Sequence, residues 1–248
     1  MKLVLADASY LKDSISIIAD LVNEARFKLN NDGIEVIAMD PANVAMVIFK
    51  LLSSSFSEYE LEKDIEIGIN LQSLKQILRR ASPSDILTLE VSADNKLKIQ
   101  LRGTSVRTFS LPIIELDEKE QRVPNLQFST TVSMQSSTLL DAITDADIVA
   151  ESVTFSAEPD KFTIAAQGDR SNAHIEMKAS DHLHIRTAST ADVKAKYSIE
   201  YLKKMISGSK LAETVDIQFN QDYPLRLDYK VIDRLSLSFI LAPRVEND

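Results

Sequence analysis

An internal repeat runs through most of this 248-residue chain and constrains its fold more than any other feature. When the sequence is aligned with itself so that Leu11 meets Leu139, apolar positions coincide with no gap over most of the length. The further matched pairs include Ile15 with Ile143, Phe27 with Phe155, Val36 with Ile164, Leu74 with Leu202, Ile77 with Met205, and Leu111 with Phe239. Few residues are identical, so what repeats is the hydrophobic pattern, which a duplicated fold preserves. The chain is therefore predicted to hold two domains of one fold.

Each half combines two helical patterns with several strands of period two. The predicted helices of the first half carry Leu11, Ile15, Ile18, Leu21 and Val22, and then Leu71, Leu74, Ile77 and Leu78. The segment from Asn30 to Gly33 predicts a tight hairpin, because Asn, Asp and Gly tolerate positive φ, and Pro83 disfavours continuation of the second helix. Two helices on one face of a mainly antiparallel sheet make an α+β domain.

The segment from Leu111 to Phe128 separates the halves. Two prolines within it, Pro112 and Pro124, bracket a charged stretch. Its composition predicts an extended surface crossover without secondary structure of its own. We expect an N-terminal domain over residues 1–114, a linker over 115–127 and a C-terminal domain over 128–248.

Composition excludes several classes of protein. The chain has no cysteine, so it has no disulfide and no thiolate metal site, which fits a reducing compartment. No apolar run approaches the roughly 18 residues of a membrane span, and the N-terminus lacks the apolar core of a signal peptide. We expect no membrane association. The net charge of −9 argues at first sight against a nucleic-acid partner.

The charge is, however, segregated between the helices. The second helix of each half carries the bases Lys75, Arg79, Arg80, Lys203, Lys204 and Lys210, with Glu200 as the one acid. The first helices carry one base, Lys12, and six acids: Asp13, Asp20, Glu24, Asp141, Asp145 and Asp147. Lys75 and Arg79 lie four residues apart on the face opposite the apolar stripe. Such a face suits contact with phosphates without base readout, although a merely solvated helix face has the same pattern.

Motifs for catalysis or metal binding do not stand out. His182 and His184 share one face of a predicted strand, but no further zinc ligands are indicated, which favours exposed strand histidines for these two and for His174. There is no phosphate-binding glycine loop, no dinucleotide fingerprint and no nucleophile elbow. We expect a binding protein, not an enzyme, with no metal or other cofactor; an α+β enzyme with an unrecognised site is the alternative from another class.

Several segments, in order along the chain, resemble the archaeal and eukaryotic sliding clamps of the proliferating cell nuclear antigen family. They are "NEARFKLNNDGIEVIAMDPANVAM" from Asn23, "GINLQSLKQILRRA" from Gly68, "RTFSLPII" before the linker, Val123-Pro124, and "LAPRV" near the end. The resemblance covers residues 1 to about 245. It implies three two-domain subunits joined head to tail into a ring, with helices lining a hole that encircles duplex DNA. It implies no chemistry.

The resemblance assigns roles to named residues. The bases predicted to face DNA are Lys12, Lys75, Arg79, Arg80, Lys203, Lys204 and Lys210. This chain has Asp13, Ala19 and Asp141 where the family often has bases on its first helices, so the contribution of those helices to the inner surface is open.

At the subunit interface we expect Arg79, Arg80 or Arg107 to pair with Asp141 or Asp145 of the next subunit. Edge strands near residues 104–112 and 173–177, the latter with His174 and Ile175, are expected to lie alongside. Scattered solvated charge is the alternative.

Partner enzymes of the resembled family insert a short motif with apolar and aromatic anchors beneath the linker. Carried over, that pocket comprises Met39, Val44, Met46, Val123, Pro124, Pro224, Ile240, Leu241, Ala242 and Pro243. Methionines suit a surface that accepts many ligands, although Met39, Val44 and Met46 also fit a plain strand core. The repeat predicts that Phe239 and Leu241 face the core, which leaves Ile240, Ala242 and Pro243 for a partner. Ile240 replaces an aromatic often found in the family.

The sequence is thus interpreted as a DNA sliding clamp, a processivity factor for DNA replication and repair. Its expected partners are double-stranded DNA without sequence preference, DNA polymerase, flap endonuclease, DNA ligase and a clamp loader. A homotrimer is favoured, with one subunit of a heterotrimeric or checkpoint-type clamp as the alternative. The expected location is the archaeal cytoplasm, associated with the nucleoid, or the nucleus if the source is eukaryotic.

Overall fold

The computed structural model describes residues 1–116, 121–188 and 192–244. Residues 117–120 of the predicted linker and 245–248 of the predicted C-terminal domain, including the valine of "LAPRV", lie outside the described residues. The chain divides into two compact units. The first comprises Met1–Pro41, Val47–Val123 and Val231–Leu237, and the second comprises Ala42–Met46, Pro124–Lys230 and Ser238–Asp248.

The first half of the chain contains nine strands and two α-helices in its described residues. The strands are β1 (Lys2–Leu5), β2 (Glu24–Asn30), β3 (Gly33–Met39), β4 (Ala45–Leu52), β5 (Glu58–Glu60), β6 (Ile65–Asn70), β7 (Ile86–Val91), β8 (Lys96–Arg102) and β9 (Val106–Pro112). The helices are α1 (Ser9–Ile18) and α2 (Leu71–Leu78), and a short 3-10 helix spans Ser53–Ser55.

The second half repeats this inventory. Its strands are β10 (Thr130–Gln135), β11 (Ser152–Glu158), β12 (Lys161–Gln167), β13 (Asn172–Lys178), β14 (Leu183–Thr187), β15 (Val193–Ser198), β16 (Thr214–Phe219), β17 (Leu225–Val231) and β18 (Leu235–Leu241). Its helices are α3 (Ser136–Asp147) and α4 (Ile199–Met205), and α4 continues into a 3-10 helix over Ile206–Lys210. No helix in the described ranges combines the length and the apolar character needed to cross a membrane.

The strands form antiparallel sheets within each unit. The first unit has the strand orders β5-β1-β7-β8-β9 and β4-β3-β2-β6, and the second has β13-β12-β11-β15 and β14-β10-β16-β17-β18. Strands β4 and β18 are hydrogen-bonded neighbours, and each contributes residues to both units. In the first unit the amide of Leu52 donates to the carbonyl of Arg234, and in the second the amide of Ala242 donates to the carbonyl of Val44. The predicted α+β fold is confirmed.

The duplication is visible in the element bounds. Strands β2, β3, β6 and β7 each have a counterpart 128 residues later, in β11, β12, β15 and β16. Helix α2 corresponds to α4, β9 to β18, and β4 to β13, with shifts of no more than a residue at their starts. The two units are therefore two copies of one fold.

Each unit has its own apolar core. In the first, Leu11, Ile15 and Ile18 of α1 are buried, as their three-to-four spacing predicts. In the second, the fully buried Phe155 contacts Phe162, Tyr197 and Phe219 at ring-centroid distances of 5.5, 5.4 and 6.1 Å. Fully buried aromatic and aliphatic side chains each contribute about 1.5–3 kcal/mol. The aromatic cluster joins strands β11, β12 and β15 of one sheet to β16 of another.

Three local predictions need correction. Helix α1 ends at Ile18, so Leu21 and Val22 are buried in the turn after it and not on the helix. The hairpin at Asn30 has the expected two-residue turn, with Asn30 opposite Gly33, but within the described residues of that turn the positive φ falls on Gly33, at 144°. The side-chain oxygen of Asn30 accepts from the amides of Asp32 and Gly33 instead. Lys210, predicted to lie on the second helix of its half, lies instead at the end of the 3-10 helix that follows α4.

Candidate functional site

Lys75, a predicted DNA-facing base, fastens the two helices of the first unit to each other. Its Nζ lies 2.6 Å from Asp20 Oδ1 and donates to the carbonyl of Ser16 at 3.2 Å. Only 19% of the side chain is exposed. The charge of Lys75 is therefore largely compensated by contacts within its own unit.

The second unit repeats this contact more openly. Lys203 Nζ lies 2.7 Å from Asp147 Oδ2, with 52% of the lysine side chain exposed. On the same helix Lys204 lies 3.8 Å from Glu200 and 5.3 Å from the ring centroid of Tyr201. Asp147 of α3 thus partly neutralises Lys203, and Glu200 of α4 itself partly neutralises Lys204.

Three of the predicted bases keep their side chains free. Arg79, Arg80 and Lys210 are exposed and make no side-chain hydrogen bond or ion pair with any residue that the structure describes. Lys12 by contrast donates to the carbonyl of Ala81 at 3.2 Å. The seven bases therefore divide into four that are engaged within their own unit and three that are available to a partner.

Arg107, predicted for the subunit interface, is engaged within the first unit. Its guanidinium donates to the carboxylate of Asp85 and, at 3.0 Å, to the carbonyl of Arg80. Asp85 is 4% exposed, and its carboxylate also accepts from the amide of Ser82 at 2.7 Å. Pairing of Arg107 with Asp141 or Asp145 of another subunit stays a prediction, and it would have to compete with these contacts.

Two strands lie at open sheet edges. β9 is the last strand of its five-stranded sheet, and β13 is the last of its four-stranded sheet. Both alternate between exposed and half-buried residues, and neither has a buried side chain. The half-buried positions include Phe109 and Leu111 of β9, and Ile175 and Met177 of β13. An unpaired edge with apolar side chains is a template for another strand.

The same positions of the repeat are interior elsewhere. β18, the counterpart of β9, lies between β17 and β4, and β4, the counterpart of β13, lies between β18 and β3. Six of the seven residues of β18 are buried. Each of these two open edges therefore has a duplicate in the repeat whose hydrogen bonds are satisfied within the chain.

The two edges carry opposite charge nearby. Helix α2 packs next to β9 and leads into the exposed Arg79 and Arg80. Helix α3 packs next to β13, and its Asp141 and Asp145 are exposed. One edge is accordingly basic and the other acidic.

The apolar ending is mostly part of the core. Ile240 is 7% exposed and Leu241 is fully buried. Met46, which was predicted to line the same partner-peptide pocket, is 4% exposed. The predictions for Phe239 and Leu241 as core residues agree with their burial. Ile240, predicted to be free for a partner, is instead buried within its own chain.

A smaller surface stays accessible in the second unit. Val44, Pro224, Ala242 and Pro243 are half-buried. The chain around them is held on β15, where the carbonyl of Lys194 accepts from the amide of Asp222 and that of Lys196 accepts from the amide of Arg244.

We name the surface formed by Val44, Pro224, Ala242 and Pro243 the proline ledge. An aromatic pair flanks it. Phe128 and Tyr223 are half-buried with ring centroids 5.9 Å apart, and the Tyr223 carbonyl accepts from the hydroxyl of Tyr197. Burial raises the pKa of Tyr197 above its ordinary range, so this hydroxyl stays a donor. The pair was not predicted from the sequence, in which Tyr223 next to Pro224 was the available indication.

The other predicted pocket residues belong elsewhere. Met39, half-buried at the end of β3, and Val123, 39% exposed, are in the first unit, whereas the exposed Pro124 is in the second. Their shared role in a pocket stays a prediction.

The histidines do not form a metal centre in the described part of the chain. No group of three or more His, Cys, Asp or Glu side chains there is arranged to hold a metal ion. His174, His182 and His184 are all exposed, and His174 Nε2 lies 3.9 Å from Glu176.

Comparison with known proteins gives one consistent result along the whole chain. The family model "Proliferating cell nuclear antigen, N-terminal domain" matches residues 1–120, and "Proliferating cell nuclear antigen, C-terminal domain" matches residues 122–244. A protein named DNA polymerase sliding clamp from Thermococcus gammatolerans is 36% identical over 99% of this chain and 98% of its own length. Another of that name from Nanoarchaeum equitans is 35% identical over 98% of this chain and 99% of its own length.

A solved structure extends the likeness to three dimensions. The crystal structure of PCNA from Thermococcus kodakaraensis superposes with a TM-score of 0.91 at 29% identity, covering 98% of this chain and 99% of that one.

Proposed function

Because the chain belongs to the proliferating cell nuclear antigen family, we propose that three copies close into a ring around duplex DNA and tether replication and repair enzymes to it. A DNA sliding clamp is a processivity factor and not an enzyme. The mechanism is topological: retention depends on closure of the ring, so a chain with a net charge of −9 can serve DNA without gripping it. Its relatives are archaeal, and we propose the archaeal cytoplasm, at the nucleoid, as the location.

The observation that carries the proposal is the pair of open edges. β18 and β4 are neighbours within the chain, and their counterparts in the repeat are β9 and β13. We propose that β9 of one copy pairs with β13 of the next in the same way. Such a heterologous contact closes a ring when its rotation fits.

Ring closure is tested by charging one edge. Ile175→Glu with Met177→Glu in β13 should yield a monomer in light scattering, because two carboxylates would be buried against β9. Ile185→Glu in β14, also a half-buried position on an edge strand, is the matched control and should keep the mass of the unaltered protein. A trimer that survives the β13 substitutions would contradict the proposed interface.

The charges near the edges favour a homotrimer. Arg79 and Arg80 accompany one edge and Asp141 and Asp145 the other, so each chain carries both complementary surfaces. Arg79→Glu with Arg80→Glu should weaken the trimer on dilution, and adding Asp141→Arg with Asp145→Arg should restore it. If the second pair of changes fails to restore the trimer, these residues do not face each other. A chain that is monomeric until mixed with related chains would indicate a heterotrimeric or checkpoint-type clamp instead.

DNA contact is proposed for the exposed bases that the helices leave available. In the second unit Lys210 is the free candidate, and Lys203 and Lys204 are candidates that would have to leave Asp147 and Glu200. Lys12 and Lys75 are engaged within the first unit. Loaded on closed circular DNA, the protein should stay bound when salt is raised, and it should slide off linear DNA. Equal loss from both at high salt would indicate binding by phosphate contacts alone.

We propose that partner enzymes dock a short peptide with apolar anchors on the proline ledge. DNA polymerase, flap endonuclease, DNA ligase and the clamp loader are the proposed partners. Met39, Val123 and Pro124 are proposed to contribute, and the buried Met46, Ile240 and Leu241 to support the ledge from beneath.

The ledge is tested by Ala242→Asp with Pro243→Ser. We expect loss of stimulation of a DNA polymerase on primed circular DNA while the trimer mass is kept. Ile148→Ser, at a residue 80% exposed on the end of α3, is the control that should change neither. Full stimulation by the ledge variant would place partner binding elsewhere.

A further inference from the structure

Three side chains of the first unit hold the turn that carries Arg79 and Arg80. We propose that Lys12, Asp85 and Arg107, here named the clasp, are positioning residues for subunit association. They present the two arginines to the acidic helix α3 of another copy. This inference rests on the proposed ring, and it assigns to Lys12 and Arg107 a role other than direct contact with DNA or with the neighbouring subunit.

The clasp grips the turn at three backbone atoms. Lys12 Nζ donates to the carbonyl of Ala81 at 3.2 Å, and Arg107 donates to the carbonyl of Arg80 at 3.0 Å. The carboxylate of Asp85 accepts from the amide of Ser82 at 2.7 Å, while its own amide donates to the carbonyl of Ser82 at 3.0 Å. Every residue from Arg80 to Ser82 is therefore bonded to a side chain of the clasp.

Asp85 links the grip to the edge strand. Its buried carboxylate binds the guanidinium of Arg107, which lies on β9. It is also close to Gly103, where a Cβ would come within 2.1 Å of Asp85 Oδ1. The turn after α2 is thereby tied to the strand that is proposed to pair with another copy.

The arginines gain from this arrangement because their backbone is fixed before they meet a partner. Ordering a mobile turn on association would consume part of the binding free energy, and a turn that is already held avoids that loss. The charged ends of Lys12 and Arg107 also lie just past the C-terminal end of α2, where the helix dipole favours cations. Their charges are used on the turn, which leaves Arg79 and Arg80 with free guanidinium groups.

The fold itself does not require the clasp. In the repeat, Lys12, Asp85 and Arg107 correspond to Leu140, Glu213 and Leu235. Leu235, on β18, is buried and Glu213 is exposed, so the second copy of the repeat forms the same fold without these contacts. The clasp occurs in the copy of the repeat that carries the paired arginines beside an open edge, and this points to association.

A double-mutant cycle on the full chain tests the proposal. The variants are Asp85→Asn, Arg79→Gln with Arg80→Gln, and all three changes together. The readout is the concentration at which the trimer dissociates, measured by sedimentation velocity. We expect Asp85→Asn alone to raise it about threefold to tenfold, the effect of one weakened ion pair per interface. In the background without the arginines, Asp85→Asn should add nothing.

A purely structural role for Asp85 gives a different result, because its effect would then be the same in both backgrounds and would overturn the inference. Lys12→Met provides a second cycle if Asp85→Asn fails to fold, since Lys12 holds the turn from a partly buried position. Glu58→Gln, which breaks the ion pair with Lys2 at the edge of the sheet opposite β9, is the matched control and should leave dissociation unchanged.

The outcomes separate this inference from the proposed ring. If the unaltered protein is a monomer, the ring itself is wrong. If it is a trimer that loss of both arginines does not weaken, the charged interface is wrong. If loss of the arginines weakens the trimer and loss of Asp85 or Lys12 does not, only the positioning role is overturned.

Discussion

Strands β9 and β18 occupy the same place in the repeat and have opposite surroundings. Their apolar residues match, with Leu111 at the position of Phe239, yet β9 has no buried residue and β18 has six. The difference lies in the neighbours: β18 lies between two strands, and β9 ends its sheet. The comparison teaches that alternation in a strand predicts which residues face a core, whereas burial depends on what the strand pairs with.

The largest expected effect contrasts the two strands directly. Phe239→Ala should lower the free energy of unfolding by about 3–5 kcal/mol, because it leaves a cavity in a packed core. Leu111→Ala, at the half-buried counterpart, should lower it by only about 1 kcal/mol in the monomer but should weaken the trimer. Denaturant unfolding of dilute protein and light scattering separate the two effects. Equal losses of stability would mean that β9 is already covered.

A second contrast concerns the chain that follows each strand. The amide of Ile114 donates to the carbonyl of Gly68. In the second copy of the repeat, the amide of Arg244 donates to the carbonyl of Lys196, which occupies the position of Gly68. A Cβ at Gly68 would lie 2.3 Å from the carbonyl oxygen of Ile114. Gly68→Ala should therefore lower the free energy of unfolding by about 1–3 kcal/mol and speed hydrogen exchange at Ile114.

Lys196→Ala is the matched control, because Lys196 already has a Cβ and its carbonyl is unchanged by the substitution. Exchange at Arg244 should stay slow. Unchanged exchange at Ile114 in Gly68→Ala would mean that the start of the linker yields without strain.

The smallest expected effect contrasts the two helix pairs. Lys75→Met should lower the free energy of unfolding by about 1 kcal/mol, because a partly buried lysine loses Asp20 and the Ser16 carbonyl. Lys203→Met should lower it by less than about 0.5 kcal/mol, since its pair with Asp147 is mostly exposed. Denaturant unfolding measures both free energies. A larger loss of stability in Lys203→Met than in Lys75→Met would contradict the stronger role given to Lys75.

Much of the fold could be predicted from the sequence, and less of the site. The hydrophobic pattern indicated the duplication, the helices and the core positions Phe239 and Leu241. The ion pair of Lys75 and the burial of Ile240 could not be predicted. A lysine on the outer face of a helix shows no sign of a carboxylate in the turn after another helix, and an apolar residue near a chain end shows no sign of the packing that buries it.

The division between sequence and tertiary structure follows from the range of each interaction. Periodicity and turn chemistry act over a few residues, so the sequence by itself determined two α+β copies and the residues of their cores. Hydrogen bonding between strands and pairing of charges join residues far apart in the chain. Only the tertiary structure therefore decided that β4 and β18 are interior, that β9 and β13 are open, and that Lys12 and Arg107 hold a turn while Arg79 and Arg80 stay free.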